Sequence, residues 1–339
     1  PGLVKLDDSY APIYEGSNTI SIERAFKEWK PDVGIQVRAA FAHSPKHFQF
    51  PYSLVSLKHR PKIILNTPVQ NDMLPDGFIE ACNKEADLVV SPTEWGRDVL
   101  LFQGVPSNRL EHIPWGYDPE SYYPKSVKKS EYGFDDSKPL IVGMGINDQH
   151  RKGWPILLKA FSLLKRSMDA DLLLLTTPDG HYQLYHYAAQ FGMKGQVAYL
   201  ANYSKTWAQP TAIINDLWNA SDCFVSSSIE EGFSLPPLEY AATGGSVVET
   251  DMPVLREVLG EHAFYVTSKK TYPTPWSYGY LANEQEMADT IKYVLSMNSD
   301  EKKERRDARL EYVKKFSWEK VVEQWEALFK QHKELGLPI

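Results

Sequence analysis

The sequence predicts an α/β chain of two domains, each a parallel sheet covered by helices on both faces. Three observations carry this reading. At 339 residues the chain exceeds a usual single core. Short apolar runs alternate with helical patterns in two successive series, the signature of parallel strands buried on both faces. Between the series lies Asp118 to Pro139, with Pro119, Pro124 and Pro139, a lysine run and few aliphatic residues, which reads as a linker.

The first series opens with strands at Val33–Val37 and Lys62–Asn66, the second of which ends in a polar loop from Thr67 to Asp72. Phe78 to Glu85 is a short helix and Ala86–Val90 a third strand. Thr93 caps a helix running through Val99 to Gln103. Gly104 stops it, because glycine tolerates the left-handed backbone of a helix C-terminus. Leu110–Ile113 is a fourth strand, leaving through Pro114-Trp-Gly-Tyr-Asp118. The chain starts at Pro1 without an early apolar strand, so the N-terminal domain is expected to be truncated.

The second series starts with the strand Leu140–Gly143 and a polar loop to Gly153. Pro155 opens a helix with Leu157, Leu158, Phe161 and Leu164 at helical spacing. Further strands are Asp171–Leu175, Gln196–Leu200, Cys223–Ser226, Gly244–Val248 and Ala263–Val266. Further helices are Ile213–Ala220, Leu238–Thr243, Glu284–Met297, Glu301–Lys315 and Ser317–Lys333. The charges of 301–315 read as a solvated helical face. Tyr272 to Tyr280 is an aromatic, proline-rich insertion, either an acceptor-contacting lid or a packed surface loop.

Bulk properties exclude several classes. Hydrophobic residues at 42% and charged residues at 24% suit a soluble globular chain. A net charge of −7 opposes a nucleic-acid partner. Cys82 and Cys223 sit in apolar runs and read as buried thiols of a cytoplasmic protein. No apolar run approaches the ~20 residues of a membrane span. Peripheral membrane contact stays open, since Lys125, Lys128 and Lys129 offer cations to an anionic surface or merely to solvent. The triplets Asn202-Tyr-Ser204 and Asn219-Ala-Ser221 carry little weight as glycosylation sites without a secretory signal. The histidines are scattered, so no metal site is expected.

The chemistry concentrates in Ser226-Ser-Ser-Ile-Glu-Glu-Gly-Phe-Ser-Leu-Pro-Pro-Leu-Glu239. A buried strand feeds a turn that opens a helix. Gly232 allows close backbone approach or positive φ, Ser234 can cap, and Pro236 or Pro237 suits the first helical turn. Free N–H groups and the helix dipole make such a start an anion site. Glu231 and Glu239 flank it, and carboxylates accept hydroxyls in pairs. A molecule anionic in the middle and rich in hydroxyls at both ends fits, and a sugar nucleotide answers that description. Arg151 and Lys152 lie in Asn147-Asp-Gln-His-Arg-Lys-Gly153, another strand-to-helix loop, expected at the same sheet edge. They can neutralise a diphosphate in place of a metal. Taken alone, each cluster also reads as ordinary solvated charge.

Glu231-Gly-Phe-Ser-Leu-Pro-Pro-Leu-Glu239, followed by Tyr-Ala-Ala-Thr-Gly-Gly245, resembles the E-x7-E segment of the retaining glycosyltransferases of family 4, the group 1 glycosyl transferases. Arg151-Lys152-Gly153 resembles that family's phosphate clamp, and Trp115-Gly-Tyr-Asp118 the loop before its linker. Leu74-Pro75, Asn83, Val90-Ser-Pro-Thr-Glu-Trp-Gly-Arg97 and Phe316-Ser-Trp318 continue the match, which runs in order over roughly residues 60 to 330. The resemblance implies two Rossmann-like domains facing across a cleft (the GT-B fold). Residues 1–130 would form the acceptor side and 131–316 the sugar-nucleotide side, with 317–339 a helix packing back on the first.

It also implies a hexosyltransferase of glycan biosynthesis that uses a UDP-, GDP- or ADP-sugar, retains the anomeric configuration and needs no cofactor or metal. The acceptor would be a glycan, a lipid or another hydroxyl. Glu239 would hold the ribose, and Glu231 with the amides of Gly232, Phe233 and Ser234 the sugar. Leu235 would approach the diphosphate through its backbone, Gly145 would line the donor site, and Arg151 and Lys152 would neutralise the leaving phosphate. Many relatives have a second glycine where this chain has Ser234. Many also carry a histidine after the strand that here ends at Asn66-Thr-Pro68, where Gln70, Asn71 and Asp72 are the acceptor-side substitutes. Other readings are a sugar-nucleotide epimerase or phosphorylase on the same fold, and a non-catalytic or truncated sugar-nucleotide-binding protein.

Overall fold

The structure is a computed structural model that describes residues 33–37, 62–74, 77–147, 150–200, 210–274 and 277–334. The chain divides into two compact units, residues 1–114 with 321–339, and residues 115–320.

The first unit holds a parallel sheet in the order β1-β2-β3-β4, formed by β1 (Val33–Val37), β2 (Lys62–Asn66), β3 (Leu88–Ser91) and β4 (Leu110–His112). Helices α1 (Phe78–Glu85) and α2 (Glu94–Gln103) pack on it, with Leu65, Phe78, Cys82, Val89 and Leu100 in the core. Thr93 Oγ1 accepts from Gly96 N at 3.1 Å, which satisfies a free donor at the start of α2. Gly104 ends that helix at φ 110°, a backbone that favours glycine. The thiol of Cys82 is buried and its pKa is pushed up to about 12 by burial, so it behaves as an apolar core atom.

The second unit is built on a six-stranded parallel sheet in the order β10-β9-β8-β5-β6-β7. Its strands are β5 (Leu140–Met144), β6 (Asp171–Leu175), β7 (Val197–Tyr199), β8 (Cys223–Ser226), β9 (Ser246–Thr250) and β10 (Phe264–Val266). Helix α3 (Trp154–Leu164) packs against α8 (Glu284–Ser296) through the core of Leu157, Phe161 and Ile291. The other core gathers Trp218 of α5 (Thr211–Ala220), Tyr240 of α6 (Leu235–Ala242), Phe224 and Val247. The order reverses between β5 and β8, because β6 and β7 extend one way and β9 and β10 the other. Loops leaving the carboxyl ends of those two strands border the switch point, where ligands of open α/β sheets collect.

Several expected elements differ in detail. Helix α6 starts at Leu235 rather than Leu238, since Pro236 and Pro237 fit a first helical turn. Helix α4 (Leu184–Gln190), rich in Tyr and His, carries too weak a propensity to be read from sequence. The Tyr272–Tyr280 insertion forms an antiparallel hairpin of β11 (Ser268–Thr274) and β12 (Ser277–Ala282) rather than a loop. Residues 275–276 and the triplet at 202–204 lie outside the described residues. Helix α9 (Ser299–Val313) is mostly solvated, but Arg309 is buried, with Nε donating to His262 O and Nη1 to Gly244 O, each at 3.0 Å. Helix α7 (Pro253–Leu259) precedes β10, and α10 (Trp318–Glu334) ends the described chain, its residues from Val321 belonging to the first unit. No described helix is long and apolar enough to cross a membrane.

The proline-rich segment from 118 to 139 belongs to the second unit and is fastened to α5 and the strand after it. Lys125 pairs with Asp216, Lys129 Nζ lies 2.6 Å from Asp222 Oδ2, and Tyr132 Oη donates to Asp216 Oδ2 at 2.5 Å. Lys125 and Lys129 are therefore committed to internal carboxylates, while Lys128 is exposed. Asn219 Nδ2 donates to Tyr123 O at 3.0 Å, so the amide of the second glycosylation-type triplet is structural.

Replacing Arg309 by Met keeps the volume but strands the buried Gly244 carbonyl and the half-buried His262 carbonyl. Stability is expected to fall by about 2–4 kcal/mol. Urea unfolding checks this, with a lower midpoint and an unchanged slope expected. An unchanged midpoint would mean that the two carbonyls find other partners.

Candidate active site

The site forms where the loops after β5 and β8 meet. Backbone geometry brings them together before any charge is counted. Ile229 N donates to Arg151 O at 2.7 Å, and Ser227 Oγ shares its hydrogen between Lys152 O and Gly153 O at 3.0 Å each. Gly153 has φ 59°, and a Cβ there would stand 2.0 Å from Ser227 O, so only glycine fits this approach. Gly145 has a related role, since a Cβ would meet the Lys152 stem at 2.9 Å. Tyr280 N of the hairpin donates to Ile229 O at 2.8 Å, so β12 extends the same backbone network. Asn147 fixes the far side of the first loop: its Nδ2 donates to Tyr182 O at 2.7 Å and to Thr177 O at 3.0 Å.

The turn from Glu231 to Leu235 presents the helix start. Ser234 has φ 76° and is the one non-glycine residue with positive φ among the described residues. The left-handed position of this turn is therefore Ser234 and not Gly232, and a serine there costs about 1 kcal/mol against glycine. Contrary to the sequence reading, the Ser234 side chain makes no capping hydrogen bond. Phe233 is buried and packs on Trp115 (ring centroids 5.7 Å) and Phe316 (6.1 Å), which fixes the turn from below. Pro236 and Pro237 carry no N–H, so the donors at this helix start are the amides of the turn itself.

Charge converges on Glu231, which is 4% exposed. Arg151 Nη1 donates to its Oε2 at 2.7 Å, Lys152 Nζ to Oε1 at 2.5 Å and Ser228 Oγ to Oε1 at 2.8 Å. Burial raises its pKa, but Lys152, Arg151 and Ser228 outweigh burial and hold it down to about 2. Arg151 Nη1 also donates to Glu230 O at 3.3 Å, and His150 Nε2 lies 3.2 Å from Glu230 Oε1. Glu239, one turn into α6, behaves oppositely. Burial raises it to about 7, and the Tyr122 hydroxyl acts against burial. Glu249 on β9 is fully buried, and among the described residues neither carboxyl oxygen has a hydrogen-bond partner. Burial and the charge of Glu231 push its pKa well up, which favours the neutral acid.

Arg151, Lys152, Glu231, Gly145, Gly232, Phe233, Ser234, Leu235 and Glu239 all belong to the second unit. Gln70, Asn71 and Asp72 follow β2 in the first unit. There the Asn71 side chain is buried and its Oδ1 accepts from Met73 N at 3.0 Å, while Asp72 O accepts from Gln103 Nε2 at 2.9 Å. Ser228, the His150–Glu230 pair, Tyr122 and Glu249 escaped the sequence reading. The Ser226-Ser-Ser run was the available signal for Ser228; nothing local marked the others. Among the described residues, no group of three His, Cys, Asp or Glu stands close enough to hold a metal ion.

A family model described as glycosyl transferases group 1 matches residues 125–316. The chain is 27% identical over 199 residues to mannosylfructose-phosphate synthase of Agrobacterium fabrum, covering 54% of this chain and 42% of that protein. It is 23% identical over 262 residues to the MMP alpha-(1->4)-mannosyltransferase of Mycolicibacterium hassiacum, covering 75% and 57%. The chain thus spans about half the length of the curated relatives it matches. The fold is shared with Anabaena HepE, solved in complex with UDP and glucose, at a TM-score of 0.71 and 15% identity over 92% of this chain and 81% of that one.

Glu231 is expected to make acid stability pH-dependent. Its folded pKa of about 2 lies below the ordinary 4.5. The ionised group therefore contributes about 3 kcal/mol. That contribution is complete above the ordinary value and lost as pH falls toward the folded one. Denaturant midpoints measured from about pH 6 down to pH 3 should fall less steeply in Glu231→Gln than in the parent. Parallel curves would remove Glu231 as the titrating group.

Proposed function

The chain belongs to the glycosyl transferases of group 1, and on that premise we propose that it moves a hexose from a nucleoside-diphosphate sugar to a hydroxyl acceptor, with retention and without a metal. The observation that carries this reading is the pairing of Arg151 and Lys152 with buried Glu231, beside an open helix start at the switch point of the sheet.

The roles follow from charge and hydrogen-bonding capacity. The bond that breaks joins the anomeric carbon to the β-phosphate oxygen, and negative charge grows on the diphosphate as it leaves. Arg151 and Lys152 receive that charge, aided by the amides of Ser234 and Leu235 at the positive end of α6. Glu231 faces the sugar hydroxyls with the amides of Gly232 and Phe233, and the Gly145 backbone lies against Lys152. A diphosphate entering the site competes with Glu231 for both cations and frees carboxylate lone pairs for sugar hydroxyls. Glu239 accepts the ribose diol. The acceptor oxygen bonds to the anomeric carbon and its proton passes to the departing phosphate. Two fixed cations supply the charge that a metal would otherwise bring, which is the support for metal independence. The mannosyl transfer named for two relatives favours a hexose donor. Gln70, Asn71 and Asp72 remain the proposed acceptor-side residues, and the absence of a long apolar helix among the described residues suits work in the cytoplasm or at its membrane surface.

Thermal shifts with UDP-, GDP- and ADP-sugars identify the donor, since ligand at 100 times its dissociation constant stabilises by about 2.7 kcal/mol. With that donor, Lys152→Ala is expected to lower turnover by about 100- to 1,000-fold with a smaller change in donor affinity. Glu239→Ala is expected to weaken donor binding first. Unchanged donor hydrolysis and transfer in both variants would sink the proposal. Transfer should persist after EDTA treatment; loss that added Mg²⁺ restores would overturn the metal-independent mechanism alone.

A further inference from the structure

Glu230 is 2% exposed, and it grips the loop that carries Arg151 and Lys152 by both its ends. Its carbonyl accepts from Arg151 Nη1 at 3.3 Å, and its Oε1 lies 3.2 Å from His150 Nε2. His150, Arg151 and Lys152 form one short helical turn, so a single buried glutamate holds two neighbours on it. The pair is wedged in place. Behind Glu230 stands the hairpin: a Cβ on Gly279 would lie 3.5 Å from Glu230 Cγ and 2.1 Å from Ile229 Cγ2, and Tyr280 N donates to Ile229 O at 2.8 Å. Beside the imidazole stands His181, with ring centroids 6.4 Å apart, and His181 N donates to Asn147 O at 2.8 Å. His150 thus joins the loops that leave β5, β6 and β8.

A buried carboxylate is costly unless a donor meets it. His150 meets that need through Nε2, with its own side chain only 15% exposed. The consequence falls on Arg151. Its Nη1 divides its donation between Glu231 Oε2 at 2.7 Å and Glu230 O at 3.3 Å. A diphosphate that draws the guanidinium away from Glu231 leaves the Glu230 carbonyl as its anchor. A guanidinium with one fixed anchor meets a phosphate at a smaller cost in side-chain order than a free one.

We propose that His150 and Glu230 are positioning residues for the diphosphate: acting through Arg151, they keep its guanidinium directed at the β-phosphate when Glu231 is displaced. This rests on the diphosphate role proposed for Arg151. The pair acts only where the second phosphate sits. It therefore raises affinity for a nucleoside diphosphate and not for the matching monophosphate.

The test is calorimetric titration of the intact protein with UMP and UDP, GMP and GDP, and AMP and ADP, followed through with the pair that binds. The quantity read is the ratio of diphosphate to monophosphate affinity. His150→Phe keeps a ring but removes the nitrogen, and should lower the ratio about tenfold with monophosphate affinity unchanged. His150→Gln, which retains an Nε2 donor, should restore most of it. Glu230→Met removes the partner oxygen at similar volume; it should act like His150→Phe and serves in its place if that variant does not fold. In an Arg151→Ala protein, adding His150→Phe should change the ratio no further. A parent-like ratio in folded His150→Phe or Glu230→Met overturns this inference. So does an equal loss of monophosphate affinity, a failure of His150→Gln to restore the ratio, or a further fall in the Arg151→Ala background. If Arg151→Ala itself keeps the parent ratio, or no pair binds the parent, the diphosphate reading of Arg151 falls as well.

Discussion

A buried carboxylate between two cations organises the second unit. Glu231 leaves the sheet after β8, and Arg151 and Lys152 leave it after β5, on the neighbouring strand. Removing any member leaves a largely buried charge without its partner, a loss of several kcal/mol for buried pairs. The backbone around them leaves little freedom to relax. Gly153 lies against Ser227, and Ile229 bonds Arg151. The cluster thus ties two loops across the switch point, and the helix start at Leu235 is aimed by that tie.

The same tie divides the site into two electrostatic halves. Near Glu231 positive charge dominates and the carboxyl stays ionised. Near Glu239 burial dominates, and a tyrosine hydroxyl only partly offsets it. A ligand anionic at its centre and neutral but hydroxyl-rich at its ends matches this division. Had both carboxylates shared one environment, they would compete for the same cations.

The sequence disclosed the parts of the site that lie within single loops. Arg151-Lys152 and Glu231 to Glu239 each follow an apolar strand, and strand ends of a parallel sheet share one edge. Pairing between the loops depends on how two strands far apart in sequence register, and composition does not encode that. Ser228 as a partner of Glu231 and His150 as a partner of Glu230 were hidden for this reason. Tyr122 was hidden by a misleading local signal: prolines and lysines suggested a linker, whereas Lys125, Lys129, Asn215 and Asn219 fasten it to α5. The fold class and most strands were legible because buried parallel strands are apolar throughout. The hairpin was not, because Pro273 and its neighbours mask the alternation of β11.

Local costs gather in this one region. Ser234 occupies a left-handed backbone, Glu249 is buried with no hydrogen-bond partner among the described residues, and burial raises the pKa of Glu239. Elsewhere the chain follows local preference: Thr93, Asn283 and Asn298 cap their helices through side-chain oxygens, and Gly104 ends one in the left-handed form. A core selected only for stability would replace Glu249 by an apolar residue and Ser234 by glycine. Both stand beside the Arg151–Lys152–Glu231 cluster, so the departures from local preference sit where the charge converges.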